Sequence, residues 1–230
     1  MNIEENISLL EERIGYTFKD KNYPRAALTH SSYKNELKIN KCEDYQRLEF
    51  LGDAVLELVV SKYLFNQNPD MQEGKLSKKR ASMVCESALA FCANELNLGE
   101  LIMLGKGEDS TGGRFRASIL SDIFEAIIGA VYLDGGIEAA TNHINKFHLN
   151  GIVEQQLFVD SKSVLQERIQ EKPGCVCEYR LISESGPDHN KVFEVAVFID
   201  GVQLAIATGR NKKEAEQKCA YHALKNLDNK

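Results

Sequence analysis

The chain has no Trp, only four Pro in 230 residues, and no apolar stretch reaching the eighteen or so residues a membrane-spanning helix needs. The scarcity of Pro, with 43% apolar residues, excludes an extended or low-complexity chain and implies core-bearing structure throughout. No two cysteines form a C-x-x-C pair, and none has a His at ligand spacing. Cys42, Cys85, Cys92, Cys175, Cys177 and Cys219 therefore indicate neither a zinc site nor a disulfide framework. They read as reduced, mostly buried thiols packing as small hydrophobes. The opening MNIEENISLLEERIGY is acidic and lacks the basic, apolar and small-residue regions of a signal peptide. A cytoplasmic protein without a membrane partner is the expectation. No Ser/His or Cys/His arrangement suggests a nucleophilic side chain.

What charge there is lies unevenly. The net charge is −6, from 28 Lys/Arg and 34 Asp/Glu. Residues 161–230 hold 11 basic against 10 acidic residues, leaving 17 against 24 for residues 1–160. The acidity belongs to the first part, so net charge does not exclude a nucleic-acid partner for the second.

The pattern divides at the same place. Residues 3–150 read as helix almost without interruption: ISLLEERIGY, the run around Glu49, KLSKKRASMVCESALAFCANEL, ASILSDIFEAIIGAVYL and EAATNHINKFHL. Turn signals separate them at NQNPD (66–70), GKGEDSTGG (105–113) and DGG (134–136). After residue 160 come a helix (KSVLQERIQE), a turn at Lys172-Pro173-Gly174, and three runs alternating with period two: CVCEYRLIS, KVFEVAVFID and VQLAIATG. Asp200-Gly201 is a two-residue hairpin signal. A last helix from about Asn211 to Leu227 carries the apolar stripe Ala215, Cys219, Ala220, Ala223, Leu224 and Leu227. The expected architecture is a multidomain chain: an all-α domain over 1–155, then an α+β module of order α-β-β-β-α over 160–229. The linker near GIVEQQLFVDS is short and not rich in Gly or Ser.

Acids interrupt two of the most apolar helices. YQRLEFLGDAVLELVV (45–60) is apolar over most of its circumference yet carries Glu49, Asp53 and Glu57 at four-residue spacing. SILSDIFEAIIGAVYL carries only Asp122 and Glu125. Two readings are open on spacing alone. The acids could lie on narrow solvent-facing stripes, or both pairs could converge. Converging carboxylates repel and lose hydration, which raises their pKa values unless positive charge compensates. Mg²⁺ suits a few carboxylates plus waters and phosphates, and two such ions about 4 Å apart can activate a water and stabilise a leaving oxygen.

These residues resemble a known family. RLEFLGD (47–53), ALTHSS (27–32), EGKLSKKRASMV (73–84) and SILSDIFEAIIGAVYLDGG (118–136) are similar, in order, to motifs of the bacterial ribonuclease III endonucleases. The second part resembles that family's double-stranded-RNA-binding domain. The resemblance implies that Glu49, Asp53, Asp122 and Glu125 form a metal-binding cluster, with Asp53 and Glu125 catalytic and Glu125 most directly tied to the metal. Glu73 would be a supporting acid. Phe50 would be an aromatic knob entering a pocket on a second copy in a homodimer; without the resemblance it reads as an ordinary core Phe. The implied activity is Mg²⁺-dependent hydrolysis of double-stranded RNA, with Mn²⁺ substituting. The implied products carry 5′-phosphate and 3′-hydroxyl ends with short 3′ overhangs, from ribosomal RNA precursors and structured messenger RNAs. Glu57 continues the spacing beyond the signature, about 6 Å along the axis, and reads as structural or solvent-facing. One dipeptide departs: the family usually begins its signature Asn-Glu where this chain has Tyr45-Gln46. Gln keeps hydrogen-bonding reach but loses the charge.

In the RNA-binding module, Lys212 and Lys213 follow Asn211 in the first turn of the last helix, where cations oppose the helix dipole but suit a phosphate backbone. Ser163, Gln166, Glu167 and Gln170 share a helix face suited to 2′-hydroxyls in the A-form minor groove. SGPDHNKVF is similar to the family's strand-connecting loop, with His189 as the implied contact. GKGEDSTGGRFR resembles the RNA-contacting loop of the nuclease domain, or is a plain connector. Two rivals remain: a duplex-RNA-binding protein with a decayed site, against which all four acids stand, and a small-molecule phosphohydrolase, against which the RNA module stands.

Overall fold

A computed structural model describes residues 2–37, 43–150, 161–170, 175–186, 191–209 and 211–228. The chain forms two compact units, Met1–Ile152 and Val153–Lys230. Expected features that fall elsewhere, including His189, Cys42 and the turn at 172–174, lie outside the described residues.

The first unit is helical: α1 (Ile3–Ile14), α2 (Asn22–Ala27), α3 (Ser31–Leu37), α4 (Gln46–Gln67), α5 (Glu73–Met83), α6 (Glu86–Glu95), α7 (Lys106–Ser110) and α8 (Ala117–Ile144), with a π-helical turn over Asn145–Leu149. The apolar faces meet in one core that includes Leu10, Leu56, Leu64, Leu89, Phe124 and Ile127. At its centre α4 lies along α8, and small residues set the distance between them. Both helices carry one interior glycine where they touch. A Cβ on Gly52 would lie 1.8 Å from the Glu125 carbonyl oxygen, and one on Gly129 would lie 2.2 Å from the Leu48 carbonyl oxygen. Only glycine at both positions lets the backbones approach so closely, and this contact holds the two acid-bearing turns side by side.

Three expectations are corrected in detail. The run 75–96 is two helices, because Cys85 is extended (φ −74°, ψ 155°) and opens α6 as its cap residue. The DGG signal does not end α8; the helix axis breaks there, at Gly136, whose φ of 76° and ψ of −175° are closed to residues with a Cβ. Just before the break, Asp134 accepts hydrogen bonds from the Lys19 and Asp20 backbone N–H groups (3.0 and 2.9 Å) and from the Tyr16 hydroxyl (2.7 Å). Burial alone would raise the Asp134 pKa, but these donors hold it below the ordinary value. Finally, the Gly-rich stretch 105–113 contains α7. Arg114 ties the segment after it by donating to the Ile102 carbonyl and the Asp109 carboxylate, both at 2.7 Å.

In the second unit, α9 (Ser161–Gln170) is followed by the antiparallel sheet β1 (Cys177–Ser185), β2 (Val192–Ile199) and β3 (Val202–Gly209), in spatial order β1-β2-β3, and by α10 (Lys212–Asp228). Asp200 and Gly201, at φ 50° and 80°, make the expected tight turn between the paired residues Ile199 and Val202. Leu165, Ile169, Val197, Ala205, Ala207, Cys219, Ala220, Ala223 and Leu224 form its core. Alternation in the strands and the 3.6-residue period of the helices thus supply one shared apolar layer.

Candidate metal centre and RNA-binding face

The acid pairs of α4 and α8 converge. Glu49, Asp122 and Glu125 each offer a carboxylate oxygen, and the three oxygens lie within 4.8 Å of one another. All three side chains are half-buried. Asp53 is exposed one turn along α4 and is not part of this group of three. Its charge nevertheless reaches both glutamates of the cluster.

Electrostatics follow from that placement. Burial, then the charges of Asp53, Glu49 and Asp122, push Glu125 up to about 8. Burial, then Asp122 and Asp53, raise Glu49. Burial raises Asp122 as well, while the Tyr45 hydroxyl, His30 in its protonated form and Ser121 pull it down. Burial and then Glu57 raise Asp53, so Glu57, itself half-buried, acts on the edge of the cluster rather than within it. Among the described residues, no Lys or Arg is one of the groups shifting these four acids. Close carboxylates without a cationic partner are a donor set for a hard divalent cation, which the residues present would fit by charge, by atom type and by spacing.

Other expected residues fall outside the cluster. Glu73 is exposed at the start of α5 and accepts a hydrogen bond from the Ser77 hydroxyl at 2.8 Å. Gln46 is exposed at the start of α4 and lines a groove of about 1020 Å³ with Tyr23, Arg47, Phe50, Leu51 and Leu133. Phe50 is 81% exposed, so it is not a core residue of this chain. Leu58 and Phe65 are exposed farther along the same side of α4, so the helix that is apolar over most of its circumference is not buried over all of it.

In the second unit, Ser163, Gln166, Glu167 and Gln170 are exposed on α9 while Leu165 and Ile169 face the core. Lys212 and Lys213 are exposed in the first turn of α10. Asn211 caps that helix: its side-chain oxygen accepts from the Glu214 N–H at 2.9 Å.

Sequence reasoning missed Tyr45, which is buried, and the Gly52–Gly129 contact. For the glycines a signal existed: an isolated Gly inside an otherwise apolar helix points to a close packing partner.

Comparison with known proteins agrees with this picture. Residues 20–152 match the family described as Ribonuclease-III-like, and residues 161–227 match the double-stranded RNA binding motif. A Ribonuclease 3 of Pelotomaculum thermopropionicum is 47% identical over 228 residues, covering 98% of this chain and 95% of that protein. One from Bacillus cereus is 48% identical over 225 residues, covering 97% and 92%. The crystal structure of the nuclease domain of ribonuclease III from Campylobacter jejuni, 45% identical, covers 64% of this chain and 97% of its own with a TM-score of 0.59. A helical nuclease unit with converging acids, an RNA-binding unit after it and relatives alike over nearly the whole length lead to one assignment: this chain belongs to the ribonuclease III family and is an endoribonuclease.

Proposed function

We propose that the chain is a homodimeric, Mg²⁺-dependent endoribonuclease that cuts double-stranded RNA into products with 5′-phosphate and 3′-hydroxyl ends and short 3′ overhangs. Its substrates are ribosomal RNA precursors and structured messenger RNAs, and its setting is the cytoplasm, where the free thiols of Cys85, Cys92, Cys175, Cys177 and Cys219 would stay reduced. The observation that carries this reading is the convergence of Glu49, Asp122 and Glu125 from two helices, with Asp53 at the edge.

In this reading Glu49, Asp53, Asp122 and Glu125 hold the metal, and Asp53 and Glu125 are catalytic. When bound, a divalent ion supplies Lewis acidity, lowering the pKa of a water and neutralising charge on phosphate oxygens. The chain's own part is to keep the acids apart from competing cations and fixed in place. Gly52 and Gly129 hold the two helices together, and half-burial keeps the carboxylates of Glu49, Asp122 and Glu125 poorly hydrated, so that an entering cation gains more from them than it would from exposed acids. Burial and the neighbouring carboxylates push Glu125 up to about 8, so this carboxyl would have to lose a proton to hold a cation. Glu73 is a supporting acid.

Duplex RNA is held by Ser163, Gln166, Glu167 and Gln170 on α9, by Asn211, Lys212 and Lys213 at the start of α10, and by His189. The backbone N–H groups and lysines at the start of α10 address phosphate, and the polar face of α9 addresses the minor groove. The exposed stripe Phe50, Leu58 and Phe65 is the face on which a second copy docks, with Phe50 as its knob. A long RNA duplex incubated with the chain, with and without Mg²⁺, tests the reading: fragments with 5′-phosphate ends are expected only with the ion. Retained duplex binding without cleavage at any Mg²⁺ or Mn²⁺ concentration contradicts it.

A further inference from the structure

The chain departs from the family signature at two adjacent positions, and the structure sends the two residues in different directions. Gln46 points to the groove beside Phe50. Tyr45 turns inward: it is 5% exposed, and its hydroxyl lies 3.1 Å from Oδ2 of Asp122, one of the three converging acids. A phenol can donate and a carboxylate can only accept, so the O–H donates to Asp122.

The ring that presents this hydroxyl is held on several sides. The Tyr45 backbone N–H donates to the Thr29 carbonyl (3.0 Å), and its own carbonyl accepts from the Glu49 N–H (2.8 Å) in the first turn of α4. Its ring packs against His30, with centroids 5.5 Å apart. His30 is fixed in turn: its Nδ1 accepts from the Ser32 backbone N–H (3.1 Å) and lies 2.7 Å from the Ser32 hydroxyl, which itself accepts from the Gly105 N–H (2.9 Å). With Nδ1 used as an acceptor, the His30 proton sits on Nε2. A chain of ordered groups thus runs from the start of α7 through α3 to an oxygen of the acid cluster.

We infer that Tyr45 is a positioning residue for the acidic site, acting through Asp122: by donating to Oδ2 it fixes the orientation of that carboxylate and so sets the affinity of the site for a divalent cation. One hydrogen bond occupies one of about four lone-pair positions on the carboxylate, leaving the others for an ion. Partners that orient a metal-binding carboxylate in this way typically govern affinity or activity about 10–100-fold. The inference rests on the metal reading of the cluster.

Tyr45→Phe removes the hydroxyl and keeps the ring against His30. Mn²⁺ binding to the full-length, metal-free protein is followed by the paramagnetic resonance signal of the free ion, alongside the Mg²⁺ dependence of duplex cleavage. Tyr45→Phe is expected to weaken Mn²⁺ binding about tenfold and to shift the Mg²⁺ half-saturation of cleavage by a similar factor, with the KM for duplex unchanged. In an Asp122→Ala background, which removes the acceptor, adding Tyr45→Phe is expected to change Mn²⁺ affinity no further. Wild-type Mn²⁺ affinity in the single variant, or an equal additional loss in the Asp122→Ala background, overturns the inference. Because the second comparison is internal to one background, a general loosening of the fold by Phe would show as that additional loss. A wild-type chain that binds no Mn²⁺ would instead overturn the metal reading beneath it.

Discussion

In the helical unit the acids proposed to hold a metal are set among core residues at a cost in hydration, whereas in the RNA-binding unit the polar groups proposed to meet RNA stand exposed on helices whose other faces form the core. Glu125, Glu49 and Asp122 are half-buried and all raised in pKa. Ser163, Gln166, Glu167, Gln170, Lys212 and Lys213 are exposed. The difference follows from the chemistry proposed for each unit. Concentrating negative charge for a cation needs a low-dielectric, preorganised setting that works against folding in the absence of the ion, while meeting a polyanion needs only solvent-facing cations and donors that leave the core alone. Changes at the first site should therefore alter chemistry and stability together, and changes to the exposed lysines and α9 side chains of the second should alter affinity alone.

The sharpest way to break this contrast is Glu125→Ala. It is expected to lower cleavage roughly a thousandfold, the several kcal/mol that metal Lewis acidity supplies, with duplex affinity in gel-shift assays nearly unchanged. Equal loss of both would make Glu125 a structural residue. Next in size is Gly52→Ala. The added methyl meets the Glu125 carbonyl at 1.8 Å, and overpacking of that kind costs about 1–3 kcal/mol or more. Thermal unfolding should show the helical unit melting earlier, with cleavage lost and the transition of the RNA-binding unit unmoved.

A smaller effect tests the electrostatic half of the comparison. The folded-state pKa of Glu125, about 8, lies above its ordinary 4.5, so between those values the unfolded chain binds fewer protons than the folded one. Stability from this group is complete below pH 4.5 and falls as pH rises toward 8. Glu125→Gln should flatten that decline in the metal-free protein and raise its melting temperature at pH 8 by about 2–4 °C for each kcal/mol of strain relieved. A wild-type melting temperature independent of pH over this window would contradict the raised value.

On the other unit, replacing Lys212 and Lys213 with Ala should weaken duplex binding and reduce the slope of log affinity against log salt by about one per lysine. Cleavage at saturating RNA should be preserved. Smallest of all, Asn211→Ala removes the cap of α10 and should cost about 1 kcal/mol in the second unit, read by its own unfolding transition.

How much of this was legible in the sequence depended on how local each signal was. The Asp200-Gly201 turn and the apolar stripe of α10 follow from neighbouring residues, and the structure has both. The acid pairs were visible as misfits in apolar helices, but spacing could not say that α4 and α8 would meet; the family resemblance supplied that step, and Gly52 and Gly129 give its physical cause. Tyr45 was invisible as a partner of Asp122 because the two are 77 positions apart and a Tyr at a helix start is unremarkable. Phe50 shows a different limit. Hydrophobic patterning states that a side chain avoids water but not whether its own chain or another covers it, and here its own chain leaves it 81% exposed.

The central claim is that the converging acids are a divalent-metal site with Glu125 at its heart. Calorimetric titration of Mg²⁺ into the metal-free chain at pH 7, repeated in two buffers of different ionisation enthalpy, tests it most directly. Binding accompanied by proton release is expected, because Glu125 must lose its proton to take an ion; both the binding and the release should disappear in Glu125→Gln. Binding of equal strength in that variant, or no binding in the wild-type chain, would contradict the account.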